Sequence, residues 1–192
     1  MSIKTPISIL VVDDVPLIRD TVKIILADEH YAKVIGEAGD GKEAIEVADN
    51  INPDIVLMDI NMPIMNGIEA AKIIRQRNKN TKIVMLTSCT NDVVIFTSFA
   101  AGADGYILKD KFPATIETAI TTVRLGSVWL DPAIAHRILE IARSTSHVEK
   151  SLEEVLTAEE VETLNVVSHC TGSLCLVDPG FIAKLRSLAP VG

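Results

Sequence analysis

The sequence predicts an α/β fold, a doubly wound five-stranded parallel sheet followed by a short, mainly helical C-terminal extension. Three observations carry that expectation. From Ile7 to Arg124, short β-branched runs alternate with longer amphipathic stretches, the rhythm of βα units. Runs such as Ile-Leu-Val-Val and Ile-Val-Leu-Met are continuously apolar, so their strands are buried on both faces and helices must cover both sides of the sheet. Polar islands then close the runs: Asp13-Asp14 after Ile-Leu-Val-Val, Asp59 after Ile-Val-Leu-Met, Thr87 after Ile-Val-Met-Leu and Lys109 after Gly-Tyr-Ile-Leu.

Taken in order, the first strand spans Ile7–Val12. A helix follows from Pro16, where a missing amide donor does no harm, and presents Leu17, Ile18, Val22, Ile25 and Leu26. The remaining strands are expected at 33–38, Ile55–Met58, 82–86 and Gly105–Leu108, with helices at 41–49, Gly67–Arg77, Asp92–Ala101 and 113–125. After Gly126, Leu130-Asp131-Pro132 leads into a sixth amphipathic helix through Ala133, Ile138, Leu139 and Ile141, which leaves the sheet. Residues 144–151 are polar without apolar periodicity and read as a linker. Thr157 with Glu160 forms a capping box, and Leu156 with Val161 the accompanying staple, so a helix through Val167 is signalled. The organisation expected is therefore a first domain over 1–127, a helix and linker over 128–151, and a separate C-terminal piece over 152–192.

Length and composition set permissive bounds. At 192 residues, 48% of them apolar, the chain suits one ordinary domain with a packed core plus a small second piece. A formal charge of -8 disfavours chain-wide affinity for nucleic acid or anionic membrane, though a local basic patch escapes that argument. Lys72, Arg75, Arg77, Lys79 and Lys82 form the one basic cluster; with no aromatic interleaving, it reads as a solvated helix face. The first apolar run is short and ends in two aspartates, unlike a secretory signal or a spanning helix, and no later segment is long enough to span a bilayer. Cys89, Cys170 and Cys175 form no disulfide framework, so a reducing cytoplasm is expected. His169, Cys170, Cys175 and Asp178 match no usual zinc spacing and read as ordinary surface residues.

In doubly wound sheets, ligands bind outside the carboxyl ends of the strands, where all the polar islands fall. Three carboxylates, a hydroxyl and an ammonium gathered there suit a phosphate group and a divalent cation. Mg2+ takes oxygen ligands and is commonly held by one or two carboxylates plus phosphate oxygens, which Asp13, Asp14 and Asp59 can complement. Crowded carboxylates repel one another, which favours a cation. Asp59, alone at its strand end and followed by Asn61, Pro63 and Gly67, is the expected nucleophile toward phosphorus. Lys109 would offset charge in the transition state, Thr87 would donate to a phosphoryl oxygen, and the small Ser88 leaves room for a donor.

These motifs, Asp-Asp, V-L-M-D-I-N-M-P-I-M-N-G, M-L-T-S and G-A-D-G-Y-I-L-K-D, resemble the receiver domain of bacterial two-component response regulators over about residues 7–125. The resemblance implies a flavodoxin-like receiver fold and a phosphoacceptor at Asp59. It implies Asp14 as a direct Mg2+ ligand, Asp13 as an acidic partner acting largely through water, and the Asn61 backbone carbonyl as a further ligand. It also implies Thr87 and Tyr106 as a switch pair, the hydroxyl moving toward the phosphoryl group and the ring turning inward. The partner implied is a sensor histidine kinase or phosphotransfer protein, and the chemistry is self-phosphorylation and dephosphorylation, not turnover of a separate substrate. Asp110 after Lys109, where many receivers have proline, is similar to the NarL/FixJ-like subfamily. A haloacid-dehalogenase-like phosphatase is the enzyme alternative, but it would place a second aspartate where this chain has Asn61.

In that subfamily a LuxR-type helix-turn-helix follows the receiver, and Leu156-Thr157-Ala158-Glu159-Glu160-Val161-Glu162-Thr163-Leu164 is similar to its opening. The likeness then stops: Glu159 replaces the usual arginine and the S-N-K-E-I-A stretch is absent. From Ser151 onward only Lys184 and Arg186 are basic, against Glu153, Glu154, Glu159, Glu160, Glu162 and Asp178, a balance that repels DNA. The expectation is a truncated, frameshifted or degenerate module, with output through protein interaction or a homodimer. Apolar residues of the helix carrying Val93, Val94, Ile95, Phe96 and Phe99 in excess of one buried stripe would supply such a face. A DNA-binding transcription regulator is the alternative.

Overall fold

The structure is a computed structural model and describes residues 5–27, 29–144 and 176–177. The linker expected beyond Ser144, the capping box of Thr157 and Glu160, and the group of His169, Cys170, Cys175 and Asp178 lie outside the described residues.

Strand and helix alternate as β1 (Ile7–Val12), α1 (Pro16–Ala27), β2 (Ala32–Ala38), α2 (Gly41–Ile51), β3 (Ile55–Met58), α3 (Gly67–Arg77), β4 (Lys82–Thr87), α4 (Asp92–Ala101), β5 (Gly105–Leu108) and α5 (Phe112–Arg124). Three further elements follow, β6 (Val128–Leu130), α6 (Pro132–Ser144) and β7 (Leu176–Val177). The sheet order is β2-β1-β3-β4-β5-β6-β7, parallel through β6 and antiparallel only at β7. This is the doubly wound fold expected, with chain order reversing at β1.

The five expected strands are present, and the sheet continues past them. Gly105 pairs with Trp129 and Tyr106 with Leu130, so residues 128–130 form a sixth parallel strand instead of a bare connection to α6. Three residues closed off by Pro132 are too few to show a period, which is why the sequence pattern does not reveal them. The helix α6 packs against α4.

Every residue of β3 and β5 is buried, as continuous apolar runs require of strands covered on both faces. Polar residues just beyond the strands start the helices: Asp40 accepts from Lys42 N and Glu43 N, Asn66 from Glu69 N, and Asn91 from Val93 N and Val94 N. Each such cap contributes about 1 kcal/mol and fixes where its helix begins. In α1, Val22 and Leu26 are buried, whereas Leu17 is 70% exposed on the opposite face with Ile24, so it falls outside the expected core stripe. In α4, Ile95, Phe96 and Phe99 are core and Val93 remains exposed.

One charged residue departs from its expectation as part of a solvated face. The Arg75 guanidinium, 20% exposed, donates to the carbonyls of Gly102 (2.9 Å), Lys79 (3.0 Å) and Thr81 (2.9 Å) and pairs with Asp104. It fastens the end of α3 to the turn between α4 and β5. No helix among the described residues is long and apolar enough to cross a membrane.

Candidate functional site

The ladder continues one residue past the ends of two central strands: Asp13 N donates to Ala38 O (3.1 Å), and Asp59 N donates to Val12 O (2.8 Å). Asp13 and Asp59 are thereby fixed side by side at the carboxyl edge, where the chain order reverses. One strand further, Lys109 N donates to Thr87 O (3.0 Å), which ties the end of β5 to that of β4. Four strand ends therefore converge, as the islands in the sequence imply.

The side chains meet around one ammonium. Lys109 Nζ lies 2.7 Å from Asp13 Oδ2 and 2.9 Å from Asp59 Oδ2. Both carboxylates are almost wholly buried, while Asp14 is exposed. The other oxygens are met by backbone: Asp13 Oδ1 accepts from Val15 N (3.0 Å) and Asp59 Oδ1 from Ile60 N (2.8 Å). Burial pushes the Asp59 carboxyl up from the usual aspartate range despite the opposing pull of Lys109. For Lys109, burial works to lower its affinity for a proton, but hydrogen bonds to Asp13 and Asp59 outweigh it and the ammonium is held above its ordinary value. The result is a charged lysine between two carboxylates, whose mutual attraction is stronger in this partly dry setting than at an open surface while burial opposes the charged forms.

A divalent cation fits the same edge. Asp13, Asp14 and Asp59 each offer a carboxylate oxygen, and these atoms all lie within 4.8 Å of one another. An all-oxygen donor set of this kind matches Mg2+, and each ionised carboxylate oxygen keeps acceptor capacity beyond the bonds it already makes. Asn61, whose carbonyl the sequence reading adds to this set, stands exposed in the loop two residues after Asp59.

That loop is tightly determined. Met65 N donates to Pro63 O (2.7 Å) across Ile64, whose φ of 66° is the left-handed region that a β-branched residue ordinarily avoids. Gly41 N donates to Met65 O (3.1 Å) and Gly67 N to Ile60 O (2.9 Å), so neighbouring elements hold the strained turn in place. Strain of this kind persists where surrounding structure over-determines it, commonly beside reacting groups.

Thr87 and Tyr106 occupy adjacent strands. Thr87 is fully buried, and its Oγ1 accepts from Cys89 N (3.3 Å). The Tyr106 ring is also fully buried, tilted against Phe99 at 6.3 Å between centroids, and its hydroxyl donates to Cys89 O (2.7 Å). The tyrosine expected to turn inward is thus inward in this structure. Both residues bond to Cys89, the middle of the segment that leads into α4.

Sequence reasoning missed the residues that support the acidic edge. Arg19 of α1 donates to Asp13 O (2.6 Å) and to Glu37 Oε2 (3.2 Å), and Lys23 meets the other Glu37 oxygen at 2.9 Å. Arg19 and Lys23 are one helical turn apart, with Glu37 near the end of β2, but nothing in a single chain read linearly shows that they converge.

Known proteins share the sequence pattern and fold of this chain. The sequence profile described as "Response regulator receiver domain" matches residues 9–121. The chain is 36% identical over 169 residues to the uncharacterized transcriptional regulatory protein YxjL of Bacillus subtilis (strain 168), covering 86% of this chain and 77% of that protein. It is 31% identical over 169 residues to the nitrate/nitrite response regulator protein NarL of Escherichia coli (strain K12), covering 88% and 78% respectively. The fold is similar, with a TM-score of 0.67 and 33% identity, to a crystal structure of a two-component response regulator of the LuxR family from Aurantimonas sp. SI85-9A1, over 70% of this chain and 96% of that one.

Proposed function

This chain belongs to the response regulators of two-component systems, and on that premise we propose that Asp59 accepts a phosphoryl group from a sensor histidine kinase or phosphotransfer protein and that the acyl phosphate controls an output through Thr87 and Tyr106. The observation that carries the reading is the position of Lys109 Nζ, shared between Asp13 and Asp59.

A carboxylate oxygen of Asp59 attacks phosphorus in line. The new P–O bond forms as the P–N bond of the donor phosphoimidazole breaks, and the electron pair returns to the imidazole nitrogen, which takes a proton from solvent. Lys109, already held charged against Asp59, offsets the charge carried by the phosphoryl oxygens. Asp14 and Asp59, with the backbone carbonyl of Asn61 and with Asp13 largely through water, would hold a Mg2+ ion, which would further neutralise those oxygens. Thr87 Oγ1, which here accepts from Cys89 N, turns to donate its hydroxyl hydrogen to a phosphoryl oxygen, and this favours the inward placement of Tyr106. The protein acts on itself and is not an enzyme with a separate substrate. Its place is the cytoplasm, where such donors act.

The output we propose is protein interaction or dimerisation, because the acidic balance from Ser151 onward repels DNA. The relatives named as transcriptional regulators favour a second reading, DNA binding. A gel-shift titration with phosphorylated protein separates the two: salt-sensitive, sequence-selective binding supports the second. The site itself is tested by Asp59→Asn, which should accept no label from acetyl phosphate with Mg2+; normal labelling would remove Asp59 from the role.

A further inference from the structure

The helix α6 is fastened at two places, and both belong to the elements that carry the switch. At its start, Asp131 N donates to Tyr106 O (3.0 Å), while Asp131 Oδ1 accepts from Ala133 N (2.9 Å) and caps the helix. Two turns on, the Arg137 guanidinium forks onto Asp92, Nε to Oδ1 at 2.6 Å and Nη2 to Oδ2 at 2.9 Å, with Nη1 on Glu140 at 3.1 Å. Asp92 is the first residue of α4, three residues after Cys89, whose carbonyl receives the Tyr106 hydroxyl.

These contacts close a ring. It runs from the Tyr106 side chain to Cys89, through the Asn91 cap to Asp92, across to Arg137, down α6 to Asp131, and back to the Tyr106 backbone. If the ring of Tyr106 swings out, Cys89 O loses its donor, the segment leading into α4 is freed, and Asp92 no longer has a fixed place opposite Arg137. The buried face of α6, Ile134, Ala135, Ile138 and Leu139, gives the helix an apolar seat, while Arg137 and Asp92 are partly exposed. The seat provides affinity, and the forked pair sets where on α4 the helix stands.

We propose that the Arg137–Asp92 clasp couples α6 to the switch, so that docking of α6 on α4 and the inward state of Tyr106 favour each other. The proposal rests on the reading of Asp59 given above: a phosphoryl group that favours inward Tyr106 then tightens α6, and loosening α6 makes the site harder to activate, since coupling between two sites is reciprocal. The signal reaches the start of the C-terminal extension through contacts internal to the chain.

The test uses the full chain. Hydrogen exchange of the amides of 133–140 is measured with and without beryllofluoride and Mg2+, for the wild type, Arg137→Ala and Arg137→Lys. Beryllofluoride should slow α6 exchange in the wild type, and Arg137→Ala should lose most of that slowing. The same variant should need roughly 2–5-fold more beryllofluoride for half-saturation, the effect of losing an exposed ion pair at the stronger end of its range. Arg137→Lys, which keeps the charge but not the fork, should fall between them. Unchanged or faster α6 exchange on activation, or half-saturation of Arg137→Ala equal to that of the wild type, would overturn the clasp. Labelling of Asp59 by acetyl phosphate is read in parallel: Asp59 labelled with α6 indifferent overturns the clasp alone, whereas an unlabelled wild type overturns the reading of the site and the clasp together.

Discussion

A Cβ placed on Gly67 would come within 1.9 Å of the carbonyl oxygen of Asp59. The first residue of α3 is therefore seated directly against the peptide of the proposed phosphoacceptor, a contact only glycine permits. Gly67→Ala must move either α3 or the end of β3. Its expected cost is about 3 kcal/mol or more, the range of severe steric substitutions, together with loss of acetyl-phosphate labelling. Urea unfolding checks this, and an unchanged midpoint would contradict it.

Lys109 is the one cation that the described residues place between Asp13 and Asp59. Lys109→Ala leaves two buried carboxylates facing each other. A stability loss of about 1–3 kcal/mol is expected, below the ~3–5 kcal/mol of a fully buried pair because the lysine retains some exposure. Added Mg2+ should raise the unfolding midpoint of this variant more than that of the wild type, by taking the place of the missing charge. Equal midpoints with and without Mg2+ would contradict the proposed cation site.

Arg75 should matter for stability and not for chemistry. Removing it leaves the carbonyls of Gly102, Lys79 and Thr81 without their charged donor and Asp104 without this partner. Arg75→Ala is expected to cost about 2–3 kcal/mol, with acetyl-phosphate labelling of the folded protein retained. A change within the ±0.5 kcal/mol typical of open surface positions would return Arg75 to the solvated face that the sequence implies.

Both tyrosines of the chain are shifted upward. Burial, aided by Glu117 and Glu29, pushes the Tyr31 phenol up to about 12, and burial with smaller contributions from Cys89 and Asp59 pushes Tyr106 up as well. A folded value above the unfolded one gives stability that is complete below the unfolded tyrosine value near ~10 and is lost as pH rises past it. Ultraviolet titration of the native protein should show neither phenol ionising at the ordinary midpoint, and urea stability should fall above that pH. A tyrosine ionising there would contradict the inward placement of Tyr106 or the burial of the Tyr31 hydroxyl.

Much of this molecule was legible in its sequence because its signals are local. Continuous apolar runs ending in Asp13, Asp59, Thr87 and Lys109 announce both the parallel sheet and the edge at which those residues meet. What was not legible depends on contacts between distant segments or on elements too short to carry a period. Residues 128–130 become a strand because β5 offers a free edge, and Arg75 is fastened by carbonyls up to 27 positions away. The fork of Arg137 on Asp92 spans 45 positions, and the left-handed turn at Ile64 occurs at a residue type that argues against one. Arg19 likewise carries no local signal that the fold sets it between Glu37 and the Asp13 carbonyl.

The most direct test of the account is mass-spectrometric mapping of the adduct formed when the full chain is incubated with acetyl phosphate and Mg2+. One phosphoryl group per chain is expected, on Asp59, released by hydroxylamine as an acyl phosphate should be. A phosphoryl group on any other residue, or a chain left unmodified under conditions in which it is folded, would contradict it.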